Sequence, residues 1–114
     1  MAAMPNPGAQ DERVQVQASG DKDRRAVIVT GASRGIGAAI ARLVGANGFP
    51  VAVNFVSDKG AADGVVREIQ TDGGRAVAIR SDVSREEEIL QLFETAVREL
   101  GTIGGLVIVR QDAV

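Results

Sequence analysis

The sequence predicts an α/β fold in which a parallel sheet carries helices on both faces. Two observations predict it. Strand-like and helix-like patterns alternate over residues 25–110 in the order β-α-β-α-β-α-β, with short connections. A glycine-rich turn, Thr30-Gly31-Ala32-Ser33-Arg34-Gly35-Ile36-Gly37, joins the first strand to the first helix. Right-handed crossovers place such strands in the spatial order 3-2-1-4, which is half of a doubly wound, Rossmann-type sheet truncated after its fourth strand.

Each element has its own signal. Residues 26–30 form a short β-branched run bounded by glycine, as in a buried strand. A helical pattern follows at Ile36, Ile40, Leu43 and Val44 and closes near Asn47-Gly48. Val51-Ala52-Val53-Asn54-Phe55 reads as the second strand. The helix expected over 59–69 is weaker, because Gly60 and Gly64 each cost about 1 kcal/mol relative to alanine. Gly73-Gly74 ends it, and 76–79 is the third strand. Ser84-Arg85-Glu86-Glu87 has the form of a capping box, with the Ser84 hydroxyl and the Glu87 carboxylate each satisfying an orphan N–H. Ile89, Leu92, Phe93, Ala96, Val97 and Leu100 then share one helical face, and Gly101 stops the helix. The fourth strand is expected within 103–109, centred on Leu106-Val107-Ile108-Val109.

Residues 1–24 read as a disordered leader, 25–110 as one partial domain and 111–114 as a frayed end. The leader mixes proline, glycine, glutamine and balanced charge and has too little apolar character to offset chain entropy. It lacks the apolar core of a signal peptide, so the expected location is cytoplasmic. A net charge of -2 offers no footprint for nucleic acid. No run is long and apolar enough to span a membrane. There is no cysteine, which excludes disulfides and thiolate metal sites, and no histidine, the commonest general base and metal ligand. No metal site is expected.

The glycine turn carries the chemistry. A pyrophosphate must approach the main chain closely and meet unpaired N–H groups. Gly31 permits the tight turn, Gly35 leaves room for phosphate, and Gly37 lets the helix pack on the strand. The N-terminus of the helix beginning at Ile36 adds donors and the positive end of a dipole. Ser33 offers a hydroxyl and Arg34 a full charge. The competing reading is an ordinary glycine-rich connection.

The string Thr30 to Gly37 resembles the TGxxxGxG cofactor signature of the short-chain dehydrogenase/reductase family. The resemblance continues through Val51-Ala52-Val53-Asn54, Ser81-Asp82-Val83 and the capped helix to Leu100-Gly101. It is nearest to the branch of 3-oxoacyl-acyl-carrier-protein reductases and related sugar or steroid dehydrogenases, and it implies a nicotinamide dinucleotide as partner. NAD sites usually carry an acidic residue at the end of the second strand. Here that position reads as Asn54, a neutral amide that tolerates the extra phosphate of NADP. Arg34 is placed to pair with that phosphate and Ser57 to add a hydroxyl, so NADP(H) is expected over NAD(H). Asp58 falls later and suits the N-terminus of the next helix. The resemblance implies that Asp82 contacts the adenine amino group and that Val83 completes the contact; the alternative for Asp82 is a turn aspartate before a helix cap.

The resemblance also implies hydride transfer between a carbonyl and an alcohol, using a tyrosine, a lysine four residues later, a serine and an asparagine. This chain has no tyrosine, and its lysines are Lys22 and Lys59. Where an Asn-Asn-Ala-Gly run is expected, the sequence reads Ile108-Val109-Arg110-Gln111. Glu86, Glu87 and Glu88 fit a helix first turn better than acid–base work. No catalytic residue is assigned. The expectation is the NADP(H)-binding half of such an enzyme, inactive alone and only marginally stable, with an exposed apolar fourth strand open to self-association. The alternatives are a non-catalytic nucleotide-binding or subunit-pairing module, and a fragment without independent function.

Overall fold

The computed structural model describes residues 24–109. The expected leader, apart from Arg24, and the expected frayed end lie outside the described residues. Four strands and three helices alternate: β1 (Ala26–Val29), α1 (Gly35–Ala46), β2 (Val51–Phe55), α2 (Lys59–Thr71), β3 (Ala76–Arg80), α3 (Glu86–Leu100) and β4 (Ile103–Val107). All pairings are parallel, and the strand order is β3-β2-β1-β4, as expected.

Side-chain alternation along the strands divides the core in two. Val29, Val51, Val53 and Phe55 pack against Ala38 and Ala41 of α1 and Ala62, Val65 and Ile69 of α2. Ala26, Ile28 and Ala52 point to the opposite face, against Leu92, Ala96 and Leu100 of α3. Covering both faces is what permits β2 to be buried at every position.

Three local expectations are corrected. The apolar stripe assigned to α1 is only half buried. Ile36 is 71% exposed and Leu43 63% exposed, while Gly37, Ala38, Ala41 and Gly45 face inward. Small residues bring this helix close to its neighbours: a Cβ on Gly45 would come within 2.8 Å of the Ile69 side chain on α2. The fourth strand is centred on Gly105 rather than beyond Leu106. Its partner β1 bends away into the glycine turn after Val29, so the ladder ends at the pair Val29–Val107. Thr30 continues the contact past it: its N–H donates to the Val107 carbonyl at 2.9 Å, and its hydroxyl oxygen accepts from the Val109 N–H at 2.9 Å.

The capping box is the third correction. The N-cap of α3 is Arg85, which makes no side-chain cap bond. Asp82 has captured Ser84 instead: its Oδ1 accepts from the Ser84 hydroxyl at 2.6 Å and from the Ser84 N–H at 3.0 Å. Glu88, one residue later than expected, reaches back to accept from the Asp82 N–H at 2.8 Å. Glu87 pairs with Arg85. By contrast, α2 is capped as its sequence suggests, with Asp58 Oδ1 accepting from the Ala61 N–H at 2.9 Å.

The contact that seats α1 on β1 has no room for a side chain. A Cβ on Gly37 would overlap the Gly31 carbonyl oxygen and sit 2.8 Å from the carbonyl carbon. Both are backbone atoms and cannot rotate away. Gly35 differs: its φ is +65°, and nothing lies within 4 Å of where its Cβ would be. Gly37→Ala should therefore cost at least the 1–3 kcal/mol, roughly, of an overpacked site. Gly35→Ala should cost only about 1–2 kcal/mol, for a left-handed backbone at a non-glycine residue. Urea denaturation of the two variants checks the order; an equal or smaller loss for Gly37→Ala would contradict the close packing.

Candidate dinucleotide-binding site

In a parallel sheet, crevices open at the carboxyl ends of strands where the strand order reverses. Here the reversal is at β1, flanked by β2 on one side and β4 on the other. The glycine turn leaves β1 at that point. Two of its amides face inward: the Gly31 N–H donates to Asn54 Oδ1 at 3.2 Å, and the Ala32 N–H to the Asn54 carbonyl at 2.8 Å. The next part of the turn is oriented differently. The first bond of α1 runs from the Ala38 N–H to the Arg34 carbonyl at 3.3 Å, so the N–H groups of Gly35, Ile36 and Gly37 precede the first intrahelical donor. Gly35 and Ile36 are exposed, and Gly37 is buried against Gly31.

Arg34 stands beside these amides. It is exposed, its backbone is extended, and among the described residues its guanidinium has no ion-pair partner. Ser33 is half-buried on the same turn, and Ser57 is exposed on the loop after β2.

Asn54 is not where its expected role requires. It is 0% exposed. Its Nδ2 donates to the Ser81 carbonyl at 3.1 Å and the Ile79 carbonyl at 3.3 Å, while its Oδ1 takes the Gly31 N–H. No atom of the side chain reaches the surface to meet a ribose. The chain first emerges from β2 at Val56, which is 47% exposed. Val56 and Ser57 thus form the lip of the cleft, and the sequence reading missed Val56. The usable signal was Phe55, an apolar residue after Asn54 that keeps the chain under cover to the end of β2.

Asp82 and Val83 lie on the loop after β3. Val83 is half-buried and packs on the α3 side of the core. The two bonds from Ser84 hold the Asp82 carboxyl below the ordinary aspartate value, the hydroxyl bond contributing most and the backbone bond next; the nearby Arg80 and Arg85 act in the same direction. Both bonds end on Oδ1. The loop is pinned by Glu88, which also accepts from Arg80 at 3.1 Å and pairs with Arg85 at 3.3 Å. Arg80 in turn donates to the Val56 carbonyl at 3.1 Å, joining the loop after β2 to the loop after β3. A small apolar hollow of about 120 Å³ lies beside this loop, lined by Thr30, Val83, Leu92, Phe93, Leu106 and Ile108. Among the described residues no cluster of three or more carboxylates, cysteines or histidines could hold a metal ion, and no helix is long and apolar enough to cross a membrane.

The glycine turn, the Val56–Ser57 segment and the Asp82 loop thus lie at the carboxyl ends of β1, β2 and β3, where such a crevice opens, and Val56 is tied to Arg80. Comparison with known proteins agrees with that architecture. The chain is 45% identical over 83 residues to an uncharacterized oxidoreductase of Methylorubrum extorquens, covering 73% of this chain and 34% of the relative. It is 44% identical over 80 residues to a 3-oxoacyl-[acyl-carrier-protein] reductase of a Synechocystis species, covering 70% of this chain and 32% of that protein. The crystal structure of a dehydrogenase/reductase from Sinorhizobium meliloti superposes with a TM-score of 0.72 at 45% identity, covering 75% of this chain and 34% of the other. The chain spans about a third of the length of these relatives. The profile of the short chain dehydrogenase family matches residues 25–109, and the chain belongs to that family.

Proposed function

We propose that this chain is the dinucleotide-binding half of a short chain dehydrogenase and that it binds NADP(H) in preference to NAD(H). The observation that carries the reading is the geometry of the glycine turn. The Gly31 and Ala32 amides hold β2, and the exposed residues Gly35 and Ile36 open a helix whose first residue is a left-handed glycine with open space over it. A diphosphate seated there would take those donors and the positive end of the α1 dipole.

The exposed Arg34 guanidinium, without an ion-pair partner among the described residues, and the Ser57 hydroxyl are the groups proposed to receive a 2′-phosphate. Asn54 acts on the same site only through the segments its buried amide holds. Asp82 presents an ionised carboxylate, with Oδ2 left to accept from the adenine amino group, and Val83 lies beside it. The reaction of the whole enzymes, hydride transfer between a carbonyl and an alcohol, would draw on groups that are not among these 114 residues; no residue here is assigned to it. A second reading, pairing with another subunit, rests on β4. Its outer edge has no strand partner among the described residues, and Leu106 and Ile108 are exposed. Sedimentation that returns a monomer at tens of micromolar would remove that reading.

Fluorescence titration with the two reduced cofactors tests the first. Arg34→Ala should raise the Kd for NADPH about tenfold, the effect of losing a charge-assisted bond. It should leave NADH within about twofold and the urea midpoint unchanged. Equal losses for both cofactors would contradict the assignment of Arg34 to the 2′-phosphate.

Asp82 has a separate check. Its lowered pKa means that the Ser84–Asp82 turn contributes stability above the ordinary aspartate range, and that this contribution is lost as pH falls through the lowered value. Ser84→Ala should move the Asp82 midpoint back up toward the ordinary value in a carbon-13 NMR titration. An unmoved midpoint would show that the hydroxyl bond is not the main cause.

A further inference from the structure

We propose that Asn54 is a positioning residue whose buried amide sets the spacing between the two walls of the cleft. It stands at the centre of three elements. Its Oδ1 and its backbone carbonyl take two consecutive amides of the glycine turn, those of Gly31 and Ala32. Its Nδ2 donates to the carbonyls of Ile79 and Ser81, at the end of β3 and just beyond it. The side chain has no exposed surface.

The chemistry at this position requires an amide. One end must accept from an N–H, and the other must donate to two carbonyls. Aspartate presents the acceptor but turns a carboxylate oxygen toward the Ile79 and Ser81 carbonyls. Leucine fills the space but leaves the Gly31 N–H and both carbonyls without this partner, in a buried setting where each lost bond is costly. The amide's orientation is fixed by these neighbours, since the reverse orientation would point NH₂ at an N–H and oxygen at two carbonyls.

The consequence for the cofactor, which rests on the dinucleotide reading, is that Asn54 acts on phosphate and adenine contacts together and does not read the ribose. The test uses the whole chain carrying Asn54→Asp, with Asn54→Ser as a smaller second variant. In hydrogen exchange followed by NMR, Asn54→Ser should speed exchange at Gly31, Ser81 and Asp82. Asn54→Asp should speed Ser81 and Asp82 while leaving Gly31 nearer its original rate, because an acceptor remains there. Unchanged exchange at Ser81 and Asp82 in both variants would overturn the proposal, as would loss of the fold in both, which would make the role purely structural.

In titrations, the uncharged variant Asn54→Ser should weaken NADPH and NADH by the same factor, about tenfold. A selective loss of NADPH would place Asn54 at the ribose and overturn the proposal. If the unaltered chain binds neither cofactor, the dinucleotide reading fails, and the exchange rates still decide the role of Asn54.

Discussion

The missing side chain at Gly37 is the constraint on which the cleft depends. Because nothing projects there, α1 lies against the Gly31 carbonyl. The small inward face formed by Gly37, Ala38, Ala41 and Gly45 continues the close approach along the helix, down to the Ile69 side chain of α2. A larger residue anywhere on that face would lift α1 away from the sheet. Held low, the helix delivers its first amides to the mouth of β1 rather than above it. A helix terminus acts on charge only over about one turn, so this placement decides whether it has any ligand to act on.

Much of the fold was legible because it rests on patterns a linear chain displays. Doubly covered strands are short apolar runs, and β2 and β3 were read with nearly their observed limits. The strand order follows from the alternation and from handedness. What was not legible depended on partners distant in sequence. The apolar run at the C-terminal side is longer than β4, because the run does not reveal where β1 bends away. The stripe on α1 looked buried because Ile36 and Leu43 are apolar, whereas the sheet needed its small residues.

The candidate site shows the same division. Gly31, Gly35 and Gly37 could be placed from their spacing, since each answers a local backbone requirement. Asn54 could not. A polar residue near the end of a buried strand reads the same on paper whether its amide faces a ligand or the interior, and β2, buried on both faces, has no alternation to decide it. The Ser84–Glu87 box failed for a similar reason. Asp82 competed for the Ser84 hydroxyl from two residues upstream, and Glu88 was left to reach back to the Asp82 amide. The result is a loop cross-linked by side chains, with Arg80 linking its rim to Val56.

Arg34 and Asn54 thus stand in opposite relations to the architecture. Asn54 is enclosed by bonds to the glycine turn and to the end of β3, so a replacement acts through the interior. Arg34 projects outward from extended backbone with no charge partner among the described residues. Its replacement should therefore be close to neutral for the scaffold. A solvent-facing charge at the turn can be exchanged for another while the interior stays as it is, so that surface electrostatics and foldedness are separable in this chain.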